Sequence, residues 1–304
     1  MEIKKIFTKS FYIRKWLYLM DKMDPMYSFW YSAKKRYKSI TGKRLNYRHP
    51  KNLNEKLMWL TRYWQHPLKT KCADKYHVRE YVEECGLKNI LVPLIAVYND
   101  ASEINFDVLP EKFILKCNHG SGYNIIIKDK NNINTRNIIE QLNLWMSFDY
   151  SKLAQEIHYH NIPHRIVCEV LISDNAPTEY QFRMINGKPI NILAVRKDYD
   201  SEPSYVENAY NLDWTPSKDY CSEFPKDEFE KPKQLDKMTQ YAKTLSKPFP
   251  FVRVDFYEVG NEIFFAELTF TPAGNILDYS SDTLMKYGEM LVLPPKYNEQ
   301  CIIK

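Results

Sequence analysis

Glycine is scarce in this chain, 8 in 304 residues, while tyrosine, phenylalanine and tryptophan together make up 14%. A residue without a side chain, used so sparingly, marks places where backbone geometry or close approach demands it. Cysteine offers no C-x-x-C spacing: Cys72, Cys85, Cys117, Cys168, Cys221 and Cys301 are spread along the chain, which speaks against a compact disulfide framework. With no secretory signal pattern at the start, reduced thiols in the cytoplasm are expected. No apolar run is long enough to cross a membrane, since FYIRKWLYLM (11–20) is short and broken by Arg14 and Lys15, so no transmembrane helix is expected. Repeats and low-complexity tracts are absent too.

Acids are rare at one end. Residues 1–48 hold 13 Lys/Arg against 3 Asp/Glu, which leaves the rest of the chain at about −5. Mixed with Trp16, Trp30 and several tyrosines, this basic segment suits an anionic membrane surface or a lipid-linked glycan, and equally a solvated face on ordinary helices. No nucleic-acid partner is expected.

Residues 10–40 read as one or two aromatic, basic helices. Asn52 with Glu55 three residues later resembles a capping arrangement, and Leu53, Leu57, Leu60 and Trp64 recur at helical spacing until Pro67. A second helix is expected from Asp74 to Gly86, and a polar helical stretch over 134–159. Strands are expected at 91–98, 113–116, 124–127, 165–172, 180–185, 189–195, 251–257 and 262–270, with hairpins at Asn118–Gly122, Asn186-Gly187 and Val259–Asn261. The class is α+β, with a largely antiparallel sheet in the C-terminal half.

Alternation in the last hairpin puts Arg253, Asp255 and Tyr257 on one face, and Glu267 with Thr269 on one face of its partner. Two acids emerging from apolar strands are either a magnesium pair, which takes one or two carboxylates plus substrate phosphates, or a solvent-facing sheet surface. Lys116 closes FILK directly before His119, Gly120, Ser121 and Gly122, a loop whose backbone N–H groups could cradle phosphate or simply turn a hairpin. It is not the GxxxxGK[ST] loop, because the lysine comes first. Asp74-Lys75 offers a further cation, and Glu169 is an acid in an apolar strand.

The order of these pieces resembles the ATP-grasp superfamily, and NEKLMWL, ADKYHVREYV, LPEKFILKCNHGSG and FAELTFTPAGN are similar to its TupA-like branch, associated with teichuronopeptide and capsular-polysaccharide biosynthesis. The resemblance covers about residues 45–280. It implies an ATP-grasp fold in which two lobes grip the nucleotide: a helical basic region at 1–70 and an ATP-grasp domain at 71–304, with a nucleotide-closing sublobe at about 111–168 and a metal-binding lobe at about 169–290. It implies ATP and Mg²⁺ as cofactors, with Lys75 and Lys116 on the phosphates, residues 118–122 closing over them, and Glu169, Val170, Leu171, Ile172 and Asp174 beside adenine and ribose. Asp255 and Glu267 match the metal acids and Arg253 an arginine on the transferring phosphoryl group. Where many members carry Asn, this chain has Thr269, so water or Asn275 would replace that ligand.

The activity so implied is a carboxylate–amine ligase working through an acyl phosphate, joining an amino acid to a uronic-acid-containing polysaccharide or its precursor. Its place would be the cytoplasm or the inner face of the membrane. Arg183, Arg196 and Lys197 are candidates for substrate binding, against the plainer reading of exposed basic residues on a sheet. The alternatives are a phosphotransferase and a glycosyltransferase-like enzyme, the latter without a D-x-D motif to support it.

Overall fold

The computed structural model describes residues 27–154, 156–198 and 204–297. FYIRKWLYLM, Trp16 and the start of the helical stretch expected at 10–40 lie outside them; the rest of that stretch is helix α1 (Tyr27–Thr41). Its Trp30, Ala33 and Tyr37 are buried at helical spacing. Helix α2 (Leu53–Tyr63) begins as the cap pattern predicts, with the Asn52 side chain accepting from the Glu55 amide at 2.9 Å and the Glu55 carboxylate from the Lys51 amide at 2.8 Å. Helices α3 (Pro67–Ala73) and α4 (Val78–Glu84) follow, and Gly86 at φ +75° ends α4 with a left-handed cap. The helix expected from Asp74 therefore starts four residues later. The Asp74 carboxylate accepts from the Tyr76 amide at 2.8 Å and the His77 amide at 3.3 Å, holding 74–77 as a turn.

Two antiparallel sheets dominate. The first has order β1-β4-β2-β3, from β1 (Leu94–Tyr98), β2 (Phe113–Cys117), β3 (Asn124–Ile127) and β4 (Ile166–Val170). Strand β1 is shorter than the run 91–98, because Pro93 has no N–H for the ladder. Helices α5 (Thr135–Met146) and α6 (Tyr150–Ala154) occupy the polar stretch, and α5 covers this sheet through Ile138 and Leu142.

The second sheet has order β7-β6-β5-β8-β9, from β5 (Glu179–Ile185), β6 (Lys188–Lys197), β7 (Tyr205–Tyr210), β8 (Phe251–Val259) and β9 (Glu262–Thr269). Asn186 and Gly187 both take positive φ, 47° and 72°, as a type I′ turn requires. One face of this sheet is apolar: Tyr180, Phe182, Met184, Val252, Val254 and Phe256 pack with Met238, Ala242 and Leu245 of α7 (Leu235–Ser246) in the large core, which α2 also joins through Leu53, Leu57 and Leu60. The other face carries Glu179, Gln181 and Arg183 directly opposite Tyr257, Asp255 and Arg253. Helix α8 (Ser281–Met290) packs on α2. Strand β7 and helices α7 and α8 go beyond what the sequence reading assigned. Among the described residues no helix is long and apolar enough to cross a membrane, and none of the five described cysteines is in a disulfide.

Candidate nucleotide and metal site

In the β8–β9 hairpin Asp255 lies directly opposite Glu267, and Arg253 opposite Thr269. The period-two alternation of both strands brings all four side chains to one face. Arg253 forks across the acids: Nε is 2.9 Å from each Asp255 carboxylate oxygen, and Nη2 is 2.5 Å from Asp255 Oδ2 and 2.9 Å from Glu267 Oε1. The Thr269 hydroxyl donates to Glu267 at 2.6 Å. Burial pushes the Asp255 carboxyl well up against the pull of Arg253. Burial works the same way on Glu267, yet Arg253, Lys75 and Lys197 outweigh it and hold that carboxyl down at about 2.

Lys197, at the end of β6, is 3.1 Å from Glu179, whose carboxylate also accepts from Gln181 at 2.6 Å and lies 3.4 Å from the Tyr257 hydroxyl. Glu179 thus belongs to the same charged floor. The sequence hides it, since an acid opening an apolar strand looks solvated; its signal was the alternation Glu179, Gln181, Arg183 against Tyr180, Phe182, Met184. Glu156 is a second acid the sequence reading passed over. Burial raises it to about 7 against the Thr271 hydroxyl, with Glu267 adding to the rise and Arg253 and Arg36 opposing it.

Two further cations come from different elements: Lys75 from the turn between α3 and α4, and Lys116 from near the end of β2. The Lys75 ammonium donates to the Gly120 carbonyl, and burial lowers its pKa while nearby Glu267 opposes the shift and Lys116 adds to it. Lys75 is thus tied to the loop by a hydrogen bond and to Glu267 of the hairpin by charge. Lys116 is 2.7 Å from Glu169, whose other oxygen is 3.0 Å from Arg79 Nη1. Asn118 ties the surrounding segments: its amide donates to Asp74 at 2.8 Å and to the Pro163 carbonyl at 3.0 Å, and its oxygen accepts from the Arg165 amide at 2.7 Å. Gly120 is needed by space, since a Cβ there would lie 2.9 Å from the Tyr150 ring. Ser121 and Gly122 are exposed, with Gly122 at φ +77°. His119 is buried against Trp145 and stacks on His164 at 3.6 Å; burial and that ring push it down to about 4, so it is neutral and packs rather than titrates near pH 7.

The other predicted residues are dispersed. Val170, Leu171 and Ile172 run along and just beyond the end of β4. Asp174 is exposed and pairs with Lys112, 2.7 Å from each oxygen. Arg183 shares the charged face but is buried beneath Tyr220 and Tyr279, with ring centroids 5.1 and 5.2 Å from its guanidinium. Arg196 points to the other side of the sheet, 2.5 Å from Asp227. Asn275 is buried after β9, donating to Thr61 at 2.8 Å and leaving Oδ1 without a protein partner.

The donor set fits a hard divalent cation. Among the described residues no cluster of three or more His, Cys, Asp or Glu side chains could hold a metal unaided. Two opposed carboxylates, with phosphate oxygens completing the shell, are what magnesium uses.

The model of the TupA-like ATP-grasp family matches residues 55–291. The chain belongs to that family. Membership brings the ATP-grasp fold and ATP as its nucleotide. No curated protein matches the chain. Among solved structures, a D-alanine–D-alanine ligase from Bacillus anthracis is 18% identical over 72% of this chain and 62% of its own, with TM-score 0.46. That enzyme's complex with ATP is 15% identical over 84% and 68%, with TM-score 0.45, and the Helicobacter pylori ligase is 16% identical over 74% and 60%, with TM-score 0.40. The chain thus spans under two thirds of the first of these structures.

Proposed function

We propose that this ATP-grasp protein is a carboxylate–amine ligase that activates a carboxylate as an acyl phosphate and passes the acyl group to an amine. The observation that carries the reading is the placement of Asp255 directly opposite Glu267, on a face that Lys75 reaches electrostatically from the turn between α3 and α4. Magnesium, held by these two acids, supplies charge neutralisation at the triphosphate. Lys75 and Lys116 hold phosphate oxygens, and Arg253 contacts the transferring phosphoryl group. Phosphoryl transfer asks chiefly for such positioning and charge stabilisation. The loop 118–122 closes over the acyl phosphate and keeps water from hydrolysing it. In this division the sublobe at about 111–168 covers the nucleotide and the lobe at about 169–290 holds the metal.

The favoured pair of substrates is a hexuronic acid unit of a surface polysaccharide or its precursor and an amino acid, at the cytoplasmic side of the membrane. The test is ADP and phosphate release from Mg-ATP, screened over uronates combined with amino acids. Release that needs both partners, with an amide-sized mass gain, supports the ligase. ADP formed with phosphate retained on the product points to the phosphotransferase instead, and failure to bind ATP removes the reading.

A further inference from the structure

Immediately after the strand that carries Glu267, the chain makes a turn with three successive left-handed residues: Ala273 at φ 49°, Gly274 at 59° and Asn275 at 67°. For alanine and asparagine this conformation costs roughly 1–2 kcal/mol each. Such backbone persists only where its surroundings over-determine it. Inside the turn, Gly274 N–H donates to the Thr271 carbonyl at 2.9 Å and Ile276 N–H to Ala273 at 3.3 Å. The remaining support comes from outside. Consecutive left-handed residues aim successive carbonyls the same way, and here those of Ala273 and Gly274 meet the guanidinium of Arg36 at 3.4 and 3.5 Å. A Cβ at Gly274 would lie 2.2 Å from both terminal guanidinium nitrogens, so a side chain there and Arg36 could not both keep these positions. Arg36 stands on α1, anchored by the buried Trp30, Ala33 and Tyr37, and α1 lies wholly outside the matched residues 55–291. The same guanidinium acts electrostatically on Glu156, alongside Arg253 and Glu267.

We infer that Arg36 is a positioning residue: helix α1 wedges it against the Ala273–Asn275 turn, fixing the backbone beside the metal acids, so that α1 is part of the catalytic unit.

Backbone exchange tests this without reference to the reaction. In Arg36→Ala, hydrogen exchange at Gly274 and Ile276 should quicken about tenfold or more, with α2 and the β8–β9 hairpin unchanged; Arg36→Lys should restore part of the protection. Unchanged exchange in the turn, or quickening spread evenly through α2, overturns the inference. The turnover measurement rests on the ligase reading. With the substrate pair from that screen, kcat should fall about tenfold while Mg-ATP affinity stays within about twofold. Equal losses of turnover and ATP affinity would reduce Arg36 to a structural residue. Gly274→Ala approaches the contact from the turn and serves should Arg36→Ala not fold. The double variant should lose less than the two single losses combined, since removing the guanidinium makes room for the methyl. Additive losses would argue against the wedge.

Discussion

The five-stranded sheet carries Arg253 and Asp255 inside its inner strand β8, with Glu267 opposite, whereas the four-stranded sheet carries Lys116 and Glu169 one residue from the ends of β2 and β4 and leads from Lys116 into the loop 118–122. The cores differ in the same sense. Buried side chains from α2, α4, α7 and all five strands form one continuous cluster under the charged floor, but the four-stranded sheet rests mainly on α5 and leaves Ile126 47% exposed. Arg253 and Asp255 sit mid-strand with ladder pairs on both sides; Lys116 and Glu169 are paired on both sides too, but each is next to the last residue of its strand, where local opening starts. Chemistry that needs sub-ångström placement belongs on the five-stranded sheet, and contacts that must form and release belong on the four-stranded one.

That contrast can be broken at four points. Asp255→Asn should cut ADP release by roughly a thousandfold or more while sparing most nucleotide affinity, because it leaves Lys75 and Lys116, the proposed phosphate ligands, intact. Turnover near the parent level would mean that the rigid floor is not where the reaction occurs. Lys116→Ala should act instead on binding, raising the ATP Kd about ten- to a hundredfold by titration, with Glu169 still paired to Arg79. An unchanged Kd would separate the strand end from the nucleotide.

Gly120→Ala forces a methyl onto the Tyr150 ring and should cost about 2 kcal/mol in denaturant melts. The loss should appear in the four-stranded sheet first, as faster exchange in β2 and β3. Smallest is the effect of His119. Its folded pKa, about 4, lies below the ordinary 6.5, so the unfolded chain binds the extra proton between those values and stability is lost as pH falls through that window. Between pH 6 and 5 the loss should be on the order of 1 kcal/mol of unfolding free energy, and His119→Phe should flatten it.

Both sheets were legible wherever one face is apolar and the other is not. FVRVDFY and EIFFAELTF give their strands and, by alternation, the side of each strand on which Asp255 and Glu267 lie, while their opposition depends on the register; Asn186-Gly187 gives a hairpin because few residues tolerate two positive φ values. Helix α8 is harder to see. It carries Gly288 in its interior, a residue that weakens a helix signal but is required here because a Cβ would meet the Lys51 carbonyl at 2.2 Å. Helix α7 starts at Gln234 without a side-chain cap. Strand β7 carries Glu207 and Asn208 side by side, which blurs its alternation. Within the site, the local motifs were readable, but the approach of Lys75 to Glu267 and the hold of Arg36 on the turn depend on how distant segments dock, and no local spacing encodes that.

The fork of Arg253 across Asp255 and Glu267 bears on the order of binding in the proposed enzyme. Two acids already satisfied by one guanidinium offer little to a lone cation, because admitting it strands a buried positive charge. A triphosphate arriving with the metal supplies the anion that the displaced guanidinium then needs. Metal and nucleotide are therefore thermodynamically reciprocal, each strengthening the hold on the other by the same factor, and the protein behaves as an ion exchanger whose resident counter-ion is its own side chain.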